Sequence, residues 1–153
     1  MYQRILVPVD GSPTSNKGLA EAIELARMTG GSLRVLHVID EPVTSIGFEG
    51  YEGTGENIME LVERDGQRVV EKAVTTARTA GIPCDSVIGN SRQGRVCDMV
   101  VEAARSWKAD VIVIGTHGRR GVGRLVMGSD AEQILRLAPV PVLLVRAPAS
   151  HRE

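Results

Sequence analysis

Short apolar runs and amphipathic stretches alternate along the chain. Ile5 to Val9 is a largely β-branched run of strand length. After the polar turn D-G-S-P-T-S, Leu19, Ala22, Ile23 and Ala26 recur at helical spacing. Lys17, Glu21 and Glu24 fall away from them, and Gly30-Gly31 stops the helix. Ser32 to Ile39 predicts a second strand, followed by a loop rich in glycine (Gly47, Gly50, Gly53, Gly55). From about Glu56 to Ala80 one apolar face is marked by Ile58, Leu61, Val62, Val69, Ala73 and Ala77. Asp65-Gly66 weakens it and Gly81-Ile82-Pro83 ends it. Cys84 to Ile88 predicts a third strand, and Val96, Met99, Val100 and Ala103 a third helix. Val111 to Ile114 follows as a fourth strand. Ala131, Ile134, Leu135 and Ala138 predict a fourth helix that Pro139 closes, and Val140 to Val145 is the last strand.

Five strands separated by four helices predict a doubly wound, Rossmann-like α/β domain with a mostly parallel sheet, right-handed crossovers and helices on both faces. One domain over 1–147 and a short tail at 148–153 account for the chain. Pro141 puts the last strand at a sheet edge, because proline has no N–H to give a ladder. An edge this apolar is a pairing surface for a second subunit. Ligands bind such sheets beyond the carboxyl ends of the strands, where the strand order reverses. Two strand ends carry suitable chemistry, Val9-Asp10-Gly11-Ser12 after the first strand and the Gly115 to Ser129 loop after the fourth. If those strands are neighbours, both loops face one crevice.

Composition narrows the function. At 153 residues the chain buries roughly 68–70% of its unfolded surface, so it needs no disulfide. Aromatics are only 3%, which leaves an aliphatic core. The net charge of −1 offers a polyanion no attracting field, so nucleic-acid binding is disfavoured. No apolar run reaches the length of about 18 residues needed to span a membrane. Cys84 and Cys97 lack metal-site or redox spacing and read as reduced structural thiols, which suits the cytoplasm.

The loop after the fourth strand carries Gly115, Gly118, Gly121, Gly123 and Gly128 among Arg119, Arg120 and Arg124, and ends at a predicted helix start. Glycines let backbone amides approach an anion, and a helix N-terminus favours one. A wet surface connection is the plainer alternative. Ser129 forms S-x-x-E with Glu132, a capping box, at the place where a phosphate would dock. Asp130 sets a carboxylate beside that place and opposes it. Asp10 reads equally as a ribose partner or as an Asx turn or helix cap. Val9 and Val38 fit an adenine wall or plain core. His37 reads as structural, and His117 has no neighbours at metal-ligand spacing. The chain has no Walker lysine motif, and Gly89 to Gly94 misses the G-x-S-x-G elbow, so no nucleophile with a base is named.

Gly115-x2-Gly118-x9-Gly128-Ser129 resembles the nucleotide-binding motif of the universal stress protein family. I-L-V-P-V-D-G-S at the start, L-H-V-I-D, D-V-I-V-I-G-T-H-G and the closing V-P-V-L-L-V-R are also similar to family hallmarks, over nearly the whole chain. The resemblance implies strand order 3-2-1-4-5, a homodimer through the last strand Val140 to Val145, and binding of ATP, with or without magnesium. It implies that Pro8, Val9 and Asp10 border adenine and ribose and that Val38 meets the base. Gly115, Gly118, Arg119, Gly128 and Ser129 would surround ribose and phosphates. It further implies a regulatory stress-response role in the cytoplasm with weak hydrolysis at most. The alternatives are a slow ATP hydrolase and a dimeric interaction module whose ligand loop is vestigial. Asp130 departs from the family pattern, in which an uncharged residue is usual.

Overall fold

Strand β1 (Arg4–Pro8) lies at the centre of the sheet, and its Ile5, Leu6 and Val7 are fully buried. A strand covered on both faces has no polar side, which is why its run is apolar without alternation. The computed structural model describes residues 1–39, 58–91, 94–116 and 128–146. The glycine-rich loop after the second strand and the tail at 148–153 lie outside them. The remaining elements are α1 (Pro13–Thr29), β2 (Ser32–Ile39), α2 (Ile58–Thr79), β3 (Cys84–Asn90), α3 (Val96–Trp107), β4 (Val111–Gly115), α4 (Ser129–Leu137) and β5 (Val142–Val145). The strands form one parallel sheet in the order β3-β2-β1-β4-β5, as expected.

Alternation along the strands sorts the core into two layers. Ile5, Val7, Leu33, Val35, Val111 and Val113 pack under α1 and α2, against Leu19, Ala22, Ile23, Ala26, Ala73 and Ala77. Leu6, Leu36, Ile112 and Ile114 pack under α3 and α4, against Cys97, Val100, Ala104, Ala131 and Ile134. The amino ends of β1 and β4 are tied by Asp110, whose Oδ2 accepts from the N–H groups of Gln3 and Arg4 at 2.9 Å each.

Several expected boundaries and faces are corrected. The turn D-G-S-P-T-S is divided, since Ser12 is the N-cap of α1 and Pro13 already lies in its first turn, where a missing N–H is harmless. Helix α2 runs unbroken through Gly66, which is buried. A Cβ there would stand 3.0 Å from His37 Cδ2 and 3.3 Å from Ile39 Cγ1, so the glycine lets the helix close on β2. Leu61 and Leu135 sit at helical spacing yet are 48% and 45% exposed. β3 extends two residues beyond Ile88, to Asn90. Pro141 precedes β5 rather than lying in it, and its carbonyl accepts from Ile112 N–H at 3.0 Å. β5 is nonetheless an edge strand.

Both cysteines are free and buried. Burial first, then the Asp85 charge, pushes the Cys84 thiol up to about 11, so it is a poor nucleophile near neutrality.

Arg34 and Asp85 are register partners on β2 and β3, joined by bidentate hydrogen bonds of 2.8 Å, with the guanidinium 4.7 Å from the Trp107 ring centroid. The hydrogen bonds from Arg34 hold the Asp85 carboxyl below the ordinary carboxylate value. A depressed folded-state value stabilises fully above the unfolded pKa of about 3.9, and the effect is lost as the pH falls through the folded value. The Asp85 side chain is 55% exposed, so screening limits its effect to about 1 kcal/mol or less. Urea midpoints of the wild type and Asp85→Asn should therefore differ slightly at neutral pH and converge in acid. A gap that persists at low pH would show that the carboxylate charge is not its source.

Candidate functional site

β1 and β4 cease to pair early. They are in register only at Ile5↔Val111 and Leu6↔Ile112. Val9 N–H donates to Leu36 O of β2 at 2.8 Å, and successive strand amides point to opposite neighbours. The next β1 donor owed to β4 after Leu6 is therefore that of residue 8, and Pro8 has none. β1 continues against β2 through Pro8↔Leu36, while β4 follows β5 to Gly115↔Val145.

Polar side chains organise the segment that leaves β1. Asp10 Oδ1 accepts from Ser12 N–H at 2.8 Å, an Asx turn. Ser15 Oγ accepts from Asp10 N–H at 3.0 Å, and Ser12 Oγ caps α1 by accepting from Ser15 N–H at 3.2 Å. The Asx-turn reading of Asp10 is thus formed, and it fixes where the carboxylate stands. His37 is buried, and its Nδ1–H donates to Val9 O at 2.8 Å, a structural role that anchors the end of β1 to β2.

Helix α1 reaches across to β4. A Cβ on Gly115 would fall 2.8 Å from both the carbonyl oxygen and Cγ2 of Thr14, and one on Gly18 would fall 3.3 Å from Gly115 N. Gly115 is required by the packing of α1, before any approach to a ligand is considered. Thr116 then binds on both sides of its backbone. Its N–H donates to Val145 O at 3.0 Å, and its carbonyl accepts from Gly128 N–H at 2.7 Å. The second bond joins the two ends of the segment 117–127. The Thr116 side chain is buried, and Oγ1 is the one buried side-chain oxygen or nitrogen without a hydrogen-bond partner among the described residues.

The capping box expected at Ser129 does not form. Gly128 is the N-cap of α4, with its carbonyl accepting from Glu132 N–H at 3.0 Å, so Ser129 is already the first helical residue. As a glycine, Gly128 supplies no side-chain cap, and Glu132 pairs with Arg136 Nη2 at 3.0 Å. The first amides of α4 therefore present the partial positive charge of a helix start without a side-chain acceptor from the cap. Asp130 in that turn is exposed.

Of the sequence-derived candidates, Pro8, Asp10, Val38, Gly115 and Gly128 are half-buried, Val9 is buried and Ser129 is exposed. Gly115 and Gly128 are brought together through Thr116. Val38 packs on the α3/α4 layer. Gly118 and Arg119 lie outside the described residues, as do His117, Arg120 and Arg124. Sequence reasoning gave no site role to Thr14 or Thr116 and used Met99 only as a helix marker. The Met99 methyl occupies the space that a Cβ on Gly89 would take, beside Val38. The signal for Thr116 was a hydroxyl residue ending an otherwise apolar strand.

A family model described as the universal stress protein family matches residues 1–146. The chain is 32% identical over 149 residues to Universal stress protein MJ0531 of Methanocaldococcus jannaschii, covering 97% of this chain and 84% of that protein. Among solved structures it is similar to a protein from the universal stress protein family of Burkholderia pseudomallei, with 28% identity, a TM-score of 0.73, and 95% and 97% of the two chains covered. It also shares its fold with the universal stress protein from Archaeoglobus fulgidus in complex with dAMP, at 24% identity and a TM-score of 0.68, covering 94% and 98%.

Gly115→Ala forces a methyl group against the Thr14 backbone, which only a shift of α1 or β4 can relieve. Urea unfolding should show a loss of about 1–3 kcal/mol, the usual range for overpacking. An unchanged midpoint would contradict the close approach of α1 to β4.

Proposed function

The chain belongs to the universal stress protein family, and on that footing we propose that it binds an adenine nucleotide, ATP foremost, as a regulatory stress-response protein rather than a strong catalyst. The observation that carries this reading is the 2.7 Å bond from Gly128 N–H to Thr116 O. It brings the two described ends of the Gly115 to Ser129 motif together at the start of α4. A helix start attracts phosphate, and a sheet whose order reverses between β1 and β4 opens its ligand crevice there. The Archaeoglobus fulgidus protein solved with dAMP has the same fold.

In this reading Pro8, Val9 and Asp10 border adenine and ribose, and Val38 meets the base. Gly115, Gly118, Arg119, Gly128 and Ser129 surround ribose and phosphates. The helix start at Gly128, whose cap residue carries no side chain, and the unpaired Thr116 hydroxyl suit an anionic ligand. Asp130 opposes it, and magnesium accompanying ATP would offset that repulsion. Without a Walker lysine to position a terminal phosphate, hydrolysis is slow at most.

The protein acts in the cytoplasm as a homodimer joined through Val140 to Val145. Its support is the edge position of β5 together with its exposed Leu143 (42%), and the exposed Leu135 and Leu137 (45% each) of α4. Among the described residues no helix is long and apolar enough to cross a membrane.

Calorimetric titration of ATP with magnesium should give saturable heat that Gly118→Val loses. Sedimentation of the same protein should show a dimer that Leu143→Asp dissociates. No heat from the wild type at millimolar ATP would overturn the nucleotide reading in favour of an interaction module with a vestigial loop. A monomeric wild type would overturn the assembly.

A further inference from the structure

We propose that Met99 forms the outer wall of the base pocket, its thioether meeting the edge of an adenine that lies on Pro8 and Val38, and that residue 89 is glycine in order to seat it. The proposal rests on the nucleotide reading above and deepens it at the base end, through a helix that carries none of the residues assigned there.

The wall follows from the register of the sheet. Residues paired across a parallel sheet share a face, as do residues two apart along a strand. Pro8 is paired with Leu36, and one pleat further along β2 Val38 is paired with Gly89. All four lie on the face that α3 covers. Leu36 is buried there, whereas Pro8 and Val38 keep part of their surface at the carboxyl edge. Helix α3 starts at that edge, and helical side chains lean toward the N-terminus of their helix. Met99 stands in the first turn of α3 and so leans toward the crevice. Its neighbours Cys97 and Val100 are fully buried, while Met99 is half-buried.

Gly89 locates the end of the methionine. A Cβ on it would overlap Met99 Cε and stand 4.0 Å from Val38 Cγ2, so the methyl group fills the place of the missing side chain, beside Val38. Gly89 does not have a positive φ, so its backbone conformation does not call for glycine, and the seat of the methyl group does. Glycine inside a strand often marks such a close approach. Val38 and Met99 thus form a half-exposed apolar ledge at the carboxyl edge. A thioether is favourable against the edge of an aromatic ring, and the unbranched methionine side chain adapts to the outline of the ring.

The test follows the isotope-labelled methionine methyl resonances during titration with ATP, with Met99→Leu identifying the Met99 signal among the five. The ring current of a base against the methyl group should move that signal more than the others. Calorimetry should show Met99→Ala binding ATP about two- to tenfold more weakly. Gly89→Ala should be at least as stable as the wild type, since the group it displaces is the free end of a flexible side chain. It should nonetheless weaken ATP binding to a similar extent, because the displaced methyl group either leaves the base or blocks it. Should Met99→Ala fail to fold, Gly89→Ala and the wild-type spectrum decide. A Met99 signal unmoved at saturating ATP, or wild-type affinity in either folded alanine variant, would overturn the wall and leave the nucleotide reading standing. A wild type that binds no nucleotide would overturn both the wall and the reading beneath it.

Discussion

Pro8 has no N–H to give β4, and the carboxyl end of the sheet is arranged around that missing donor. The central strand stays with β2 through its last residue while β4 leaves with β5. Because the amino ends remain tied through Asp110, the two strands part in one direction only, toward their carboxyl ends. A parallel sheet otherwise pairs its backbone groups evenly. Proline is the residue that ends such pairing without leaving a buried N–H unsatisfied. The parting separates the segment that leaves β1 from the one that leaves β4.

The two sides are held by different forces. On the β1 side, short polar bonds among Asp10, Ser12 and Ser15, and the His37 bond to Val9 O, fix the chain as it turns into α1. On the β4 side, a close steric approach does the work, since Gly115 admits the Thr14 backbone where any Cβ would collide. Thr116 then joins β5 and α4 through its backbone. The scaffold is thus satisfied internally up to the start of α4. There the Thr116 hydroxyl is the one buried side-chain oxygen or nitrogen among the described residues without a hydrogen-bond partner.

Much of the fold was legible in the sequence because its periodicities are strong. Apolar strand runs alternating with helical spacing leave little choice other than a parallel sheet with helices on both faces. Boundaries and faces were less legible for reasons of packing. Gly66 reads locally as a break, yet it faces His37 and Ile39 and is chosen for their approach. Leu61 and Leu135 share the period of core residues, and spacing alone does not say which neighbours cover them. The S-x-x-E pattern at Ser129 suggested a capping box, but Gly128 takes the cap position one residue earlier. Of the candidate site, the spacing singled out Gly115 and Gly128, which the structure brings together through Thr116. Thr116 was not singled out, because an unpartnered hydroxyl exists only once every other partner has a position.

Amide chemical-shift mapping of the isotopically labelled protein during titration with magnesium and ATP tests the central claim most directly. The largest shifts should fall together on Val9 to Ser12, on Gly115 and Thr116, and on Gly128 to Ala131, the residues around the parting of β1 and β4. Shifts concentrated instead at the amino ends of the strands, around Arg4, Ser32 and Asp110, would contradict a ligand crevice built on that parting.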